Sequence, residues 1–235
     1  MPEVATNPLT TAGPGIEGSP GVKDVVDSFH RLYYGSAEQT WQSTRWLGVD
    51  VQKCPLDLWI YQELLFDLRP QLIVETGTFQ GGSDYYLASV CDLLGCGEIV
   101  TIDVAARPNR PAHPRITYVT ASSTDPAVVD DLRETVRDLD SVLVILDSDH
   151  SATHVADELR LLSPLVTLGG YVVVEDTNVN GRPVLADFGP GPGEAVDEFL
   201  ASTDEFVADA SREKLFMTFN PSGYLRRVRR AQTAG

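Results

Sequence analysis

The sequence predicts an α/β domain built on a mostly parallel, doubly wound sheet of seven strands that ends in a C-terminal antiparallel hairpin. Three observations carry that prediction. Short apolar runs alternate with helix-length segments between residues 72 and 175, which is the β-α-β-α order of a parallel sheet. The runs, VLVIL above all, are apolar at successive positions, as strands covered by helices on both faces require. A length of 235 residues fits one such domain, and no internal repeat or second boundary interrupts it.

Taken in order, residues 1–21 are rich in Pro and Gly with almost no apolar pattern, so a disordered leader is expected there. They lack the charged and apolar regions of a secretion signal. Val25, Val26, Phe29, Leu32 and Tyr33 recur at helical spacing and predict an amphipathic helix over Asp24–Tyr34, ended by Gly35. Pro55 at a first turn, followed by Leu58, Tyr61, Leu64, Leu65 and Leu68, predicts a second helix over Pro55–Leu68 that Pro70 stops. The two make an N-terminal helical extension (22–70) of a single domain over 22–230, with 231–235 as a tail.

Strands are expected at Leu72–Thr76, Glu98–Asp103, Ile116–Thr120, Val142–Asp147 and Gly170–Glu175. Helices are expected near Ser83–Leu94, Pro126–Leu139, Ala152–Leu162 and Gly193–Ala201. Leu215–Asn220 and Gly223–Val228, joined by Asn220-Pro221-Ser222-Gly223, read as the closing hairpin.

Charge and cysteine content exclude several function classes. Lys plus Arg number 18 against 34 Asp plus Glu, a formal charge of −16. Such a surface repels phosphate and anionic headgroups, so neither nucleic acid nor membrane is an expected partner. The dense basic run, Arg226, Arg227, Arg229 and Arg230, sits at the C-terminus. No stretch approaches the ~18 apolar residues that span a bilayer. Cys54, Cys91 and Cys96 form neither a CxxC pair nor an even set, which points to a reducing cytoplasm.

In open α/β sheets ligands bind beyond the carboxyl ends of the strands, and here those ends carry Glu75, Asp103, Asp147, Glu175 and Asp176. The turn after the first strand, ETGTFQGGS (75–83), has the spacing G-x-x-x-G-G rather than the dinucleotide G-x-G-x-x-G. Its glycines permit close backbone approach at a helix N-terminus, while Glu75 would repel a pyrophosphate. An acid there suits a ligand with ammonium and sulfonium charges, which S-adenosylmethionine has. Asp103, ending the second strand, is placed to accept both ribose hydroxyls. Asp147 and the consecutive Glu175 and Asp176 bring hard oxygen donors to neighbouring strand ends, the donor type Mg²⁺ prefers; helix capping is the alternative role for such acids.

Four motifs in order, ETGTFQGGS, LDSDHS (146–151), GGYVVVEDTN (169–178) and NPSGYLRR (220–227), resemble the cephalosporin hydroxylase and rhamnosyl O-methyltransferase family over about Trp41 to Val228. The resemblance implies a Rossmann-like class I methyltransferase that uses S-adenosylmethionine and Mg²⁺ to methylate a hydroxyl of a rhamnose-like sugar on a natural product. It places Glu75, Gly77, Thr78, Phe79, Gly81, Ser83, Asp103, Ser122 and Asp147 at the cofactor. More distantly the layout is similar to catechol O-methyltransferase, whose metal triad falls on Asp147, Glu175 and Asp176, with Asp149 an alternate for Asp147. His150 falls where that enzyme carries its catalytic lysine. An unperturbed imidazole titrates near ~6.5 and accepts a proton at neutral pH, so His150 is the expected base beside Asp147. Asn178 and Arg182, with Asn180, Trp41, Trp46 and Tyr61, are candidate substrate contacts.

Two other readings stay open at this point. His150 and His154, at i and i+4, with Asp147 would imitate the two-His-one-carboxylate triad of a non-haem iron hydroxylase; and a non-catalytic pathway partner would keep the same motifs. The acceptor is expected to be a small-molecule glycoside, and the helix over Asp24–Tyr34 suggests a homo-oligomer.

Overall fold

A computed structural model describes residues 21–229; the leader expected at 1–20 and the tail from 230 lie outside the described residues. The chain enters through helix α1 (Val22–Gly35) and a two-stranded ribbon, β1 (Arg45–Trp46) and β2 (Val49–Asp50). Helix α2 (Pro55–Leu68) follows, with Pro55 in its first turn and Arg69 closing it in the left-handed conformation. Then come β3 (Leu72–Thr76), α3 (Gly82–Leu94), β4 (Glu98–Asp103), β5 (Ile116–Thr120), α4 (Pro126–Val136), β6 (Val142–Leu146), α5 (Ala152–Leu162), β7 (Tyr171–Val174) and α6 (Pro192–Ser202). Two short strands, β8 (Phe206–Ala208) and β9 (Tyr224–Arg227), end the sheet. No helix among the described residues is long and apolar enough to cross a membrane.

The seven-stranded sheet has the order β5-β4-β3-β6-β7-β9-β8. Its first five strands are parallel, and β9 pairs antiparallel with β7 and β8. Alternate side chains of one strand leave on opposite faces, which explains runs that are apolar throughout. Val142, Val144 and Leu146 join Val129 and Leu132 of α4 and Val155, Leu159 and Leu162 of α5. Leu143 and Ile145 face Ile60, Leu64 and Leu65 of α2 and Leu87, Ala88 and Cys91 of α3.

The expected strand over Leu215–Asn220 does not form. Its place beside β9 is taken by β8. The reason is Asp57, buried in the first turn of α2: it accepts Thr218 Oγ1 at 2.5 Å, Phe219 N–H at 2.8 Å and Tyr224 OH at 2.9 Å. These bonds draw residues 218 and 219 across the end of the sheet, under α1, where Phe219 meets Cys54 and Met217 with Tyr33, Tyr34 and Trp41. Helix α4 also stops at Val136 rather than Leu139.

Candidate functional site

Strand order reverses between β3 and β6, because β4 and β5 extend to one side of β3 and β7 to the other. Such a switch point leaves a crevice, and a cavity of about 640 Å³ opens there. That volume suits a cofactor-sized ligand.

The Gly-rich turn forms one wall. Gly77, Thr78, Phe79 and Ser83 line the cavity, and Thr78 Oγ1 lies 2.7 Å from Thr101 Oγ1. The glycines admit neighbouring chain rather than ligand. A Cβ at Gly77 would lie 1.8 Å from the Asp147 carbonyl oxygen, and one at Gly82 2.0 Å from that of Asp50. Gly81 does not face the cavity; a Cβ there would meet the Tyr118 hydroxyl at 3.0 Å.

Glu75 departs from its expected contact with the cofactor. It is fully buried behind the turn and outside the cavity lining, where Ser83 Oγ donates to its Oε1 at 2.5 Å. Burial, and then the Asp84 charge, push its carboxyl well above the ordinary range. Asp103 does line the cavity. Its Oδ2 accepts Phe79 N–H and Arg110 Nη2, each at 2.8 Å, and its Oδ1 accepts Ala105 N–H at 2.8 Å. With about four acceptor positions on a carboxylate, one remains, so Asp103 has room for one further donor instead of two. Ser122 also lines the cavity, its Oγ 2.9 Å from Thr124 Oγ1.

The opposite wall carries the acids after β6 and β7. Asp147, His150 and Asp176 converge there: His150 Nε2 lies 3.4 Å from Asp147 Oδ1, and its Nδ1 lies 3.2 Å from Asp176 Oδ2. Asp176 has φ 52°, a left-handed conformation uncommon outside glycine, and Asn220 Oδ1 receives its N–H at 3.1 Å. Burial disfavours the charged imidazole of His150, but the hydrogen bond to Asp147 and the charges of Asp176, Asp147 and Glu175 outweigh it and push its pKa up to about 9. The expectation of an unperturbed histidine is therefore corrected: these carboxylate partners hold the imidazole above its ordinary value. Burial raises Asp176 to about 6, with His150 opposing.

Lys53 was invisible in the sequence and stands at the centre of this wall. It is 3% exposed. Its Nζ pairs with Asp147 Oδ2 at 2.7 Å, with Glu175 Oε1, and with Glu75 Oε1 at 3.4 Å. Tyr61 OH donates to the same Glu175 oxygen at 2.5 Å. Glu175 thus faces inward, outside the cavity lining, and burial raises its carboxyl to about 8 despite Lys53. A lysine in an irregular segment ahead of a proline-started helix has no periodicity to mark it. Asp84, buried beside Glu75, reads in the sequence as an ordinary first-turn acid of α3.

The expected metal triad is split accordingly. Among the described residues, Asp147, His150 and Asp176 form one cluster with metal-ligand spacing, and Glu75, Asp147 and Glu175 form another. The Lys53 ammonium already sits in the second, facing all three carboxylates. In the first, the carboxylates of Asp147 and Asp176 face the cavity, hard oxygen donors with space for water beside them, which fits a divalent cation such as Mg²⁺. Asp149 joins neither cluster; its Oδ1 accepts Ser151 N–H at 2.8 Å at the start of α5. His154 joins neither as well. Its Nε2 lies 3.2 Å from Ser123 Oγ and 3.4 Å from Glu158 Oε1, so the two-His-one-carboxylate arrangement is not assembled.

The expected substrate contacts are corrected too. Asn178 is fully buried and its Nδ2 donates to His30 Nε2 at 2.9 Å, fastening α1 instead of facing ligand. Arg182 bonds Asp197 at 2.6 Å and lies 3.3 Å from Glu194, both on α6, and it does not line the cavity. Asn180 is likewise turned to Glu194. Trp46 packs on Tyr86 with ring centroids 4.9 Å apart, and Tyr61 is buried. Of the aromatic candidates Trp41 lines the cavity, joined by Tyr34.

Comparison with known proteins identifies the family and the fold. A family model described as Rhamnosyl O-methyltransferase/CmcI matches residues 38–228. A rhamnosyl O-methyltransferase of Mycobacterium tuberculosis is 40% identical over 211 residues, covering 86% of this chain and 84% of its own length. Its counterpart in Mycobacterium leprae is 37% identical, covering 86% and 90%. Among solved structures, CmcI with Mg and SAM superposes with a TM-score of 0.60 at 19% identity, covering 97% of this chain and 87% of that one. Apo CmcI gives 0.62 at 22% identity, covering 80% and 77%. The structural likeness establishes the fold.

Proposed function

The chain belongs to the Rhamnosyl O-methyltransferase/CmcI family, and on that premise we propose that it is a Mg²⁺-dependent O-methyltransferase that methylates a sugar hydroxyl, rhamnose-like, on a glycosylated natural product. The observation that carries this reading is one cavity with two chemically distinct ends. The Gly-rich turn, Asp103 and Ser122 form one, and Asp147, His150 and Asp176 the other.

S-adenosylmethionine supplies the electrophilic sulfonium methyl group, and Mg²⁺ supplies a Lewis acid that eases loss of the acceptor's proton. The residues of the chain do the rest. Asp147 and Asp176 would hold the cation, and Asp103 and the turn 77–79 would hold the adenosine end. His150 Nε2, beside Asp147, takes the hydroxyl proton. Asp147 and Asp176, which raise its pKa, orient the imidazole toward the cavity as the proton acceptor. Trp41 and Tyr34 flank the acceptor and limit water. Much of the rate comes from holding oxygen, methyl carbon and sulfur in line.

Assay of methyl transfer from S-adenosylmethionine to rhamnosyl glycosides, with and without EDTA, tests the reading. Transfer that EDTA abolishes is expected; full activity in EDTA would remove the metal role, and no transfer to any rhamnosyl glycoside would remove the acceptor. A homo-oligomer in the cytoplasm belongs to the same proposal. Exposed Val25, Phe29 and Leu32 on α1 and three unpaired cysteines support it.

A further inference from the structure

The segment between β4 and β5 carries a cation to which the proposed reaction gives no role. Arg110 has a side chain only 5% exposed. Its Nε donates to the Phe79 carbonyl at 2.9 Å, and its Nη2 donates to Asp103 Oδ2 at 2.8 Å and to the Ala105 carbonyl at 2.9 Å. Its guanidinium sits over the Tyr118 ring, 5.6 Å from the centroid. Arg110 does not line the cavity, whereas Asp103 and Phe79 do.

Phe79 has φ 46°, a conformation that a non-glycine residue keeps only when its surroundings over-determine it. Both of its backbone polar groups are held: its carbonyl by Arg110, and its N–H by the Asp103 oxygen that Arg110 also binds. Gly81, two residues on, is bare where the same segment crosses it, with Pro111 Cδ at 3.1 Å and Arg110 Cγ at 3.5 Å from a Cβ built there. One guanidinium therefore joins the Gly-rich turn to the acid ending β4. Its planar, multi-donor fork can span two acceptors in fixed geometry, which a lysine ammonium on a flexible stem does not.

We propose that Arg110 is a positioning residue for the adenosine end of the cofactor site, fixing Asp103 and the Phe79 turn as one unit and leaving a single carboxylate lone-pair position for a ribose hydroxyl. The inference rests on the reading of this cavity as the S-adenosylmethionine site.

The test is calorimetric binding of S-adenosylhomocysteine to the full chain as wild type, Arg110→Met, Arg110→Lys, Asp103→Ala and the Asp103→Ala/Arg110→Met double variant, with thermal unfolding to confirm folding. Arg110→Met and Asp103→Ala are each expected to weaken binding by about tenfold or more, the scale of a hydrogen bond to a charged group. Arg110→Lys should weaken it by a smaller, measurable factor. Because Arg110 shares Asp103 and the Phe79 turn as one unit, the loss in the double variant should fall short of the product of the two single losses. Losses that multiply in the double variant, or wild-type affinity in Arg110→Met, would overturn the proposal. If Arg110→Met does not fold, wild-type affinity in Arg110→Lys overturns it alone. A wild type that binds no S-adenosylhomocysteine overturns the cofactor reading beneath it, a result distinct from variants that bind as well as wild type.

Discussion

At the scale of single residues, the site turns on two cationic side chains with opposite burdens. His150 is held between Asp147 and Asp176 and faces the cavity, so its removal takes away a proton acceptor without emptying the core. His150→Ala is expected to slow methyl transfer by ~10²–10⁴, the usual contribution of a general base, with cofactor affinity retained; single-turnover assays and calorimetry separate the two. Lys53 is buried and serves three carboxylates. Lys53→Met leaves Glu75, Asp147 and Glu175 clustered without a counter-charge, and removal of one partner from a buried ion pair costs ~3–5 kcal/mol. Urea unfolding in EDTA checks this. An unchanged midpoint would mean that protonation of the acids, not Lys53, relieves the repulsion.

At the scale of elements, α1 is fastened to the sheet by one buried histidine. His30 stacks on Phe219 with ring centroids 5.5 Å apart and accepts from Asn178. Burial disfavours its charged form, with Asp27 opposing and Arg31 adding, and brings its pKa down to about 4. The sign follows from linkage: a depressed histidine keeps its contribution above the unfolded value of ~6.5 and loses it as pH falls towards 4, because the unfolded chain binds the extra proton. Across that window the wild type should lose roughly 2–3 kcal/mol relative to His30→Gln, which keeps an acceptor but does not titrate. Unfolding free energies at pH 6.5, 5 and 4 give the comparison; parallel curves would show that α1 does not depend on neutral His30. The neighbouring turn is tested by Gly77→Ala. A methyl 1.8 Å from the Asp147 carbonyl, at φ 87°, must part β3 from β6 at the site, so loss of both cofactor binding and several kcal/mol of stability is expected. Elements were legible where a local rule decided them. The five parallel strands and the helices between them follow from apolar runs and turn residues. Leu215–Asn220 was misread because its fate is decided by Asp57, some 160 residues away in sequence. Asn178 and Arg182 failed for the same reason: polarity in a loop says nothing of which way the side chain points.

At the scale of the whole molecule, the formal charge of −16 first served to exclude anionic partners, and it acquires structure in the fold. Glu75, Asp84, Asp147, Glu175 and Asp176 gather at the ends of β3, β6 and β7 and the start of α3, against Lys53 and His150. That these strand ends would be acidic was readable, since Glu75, Asp147 and the Glu175-Asp176 pair each follow an apolar run. Which acids would face the cavity was not, because Lys53 turns Glu175 inward and leaves Asp147 and Asp176 outward. An excess of carboxylates around a solvent-reaching cavity destabilises the protein unless a cation or protons compensate. Added Mg²⁺ should therefore raise the unfolding temperature through binding to the folded state, by the equivalent of ~2.7 kcal/mol at a hundredfold excess over Kd, and EDTA should reverse it. Asp176→Asn removes one of the two outward carboxylates while sparing the Lys53 pairs. It should unfold no lower than wild type in EDTA, yet gain little from Mg²⁺. An equal Mg²⁺ shift in wild type and Asp176→Asn would place the cation elsewhere on this acidic chain and leave the paired strand ends without their proposed role.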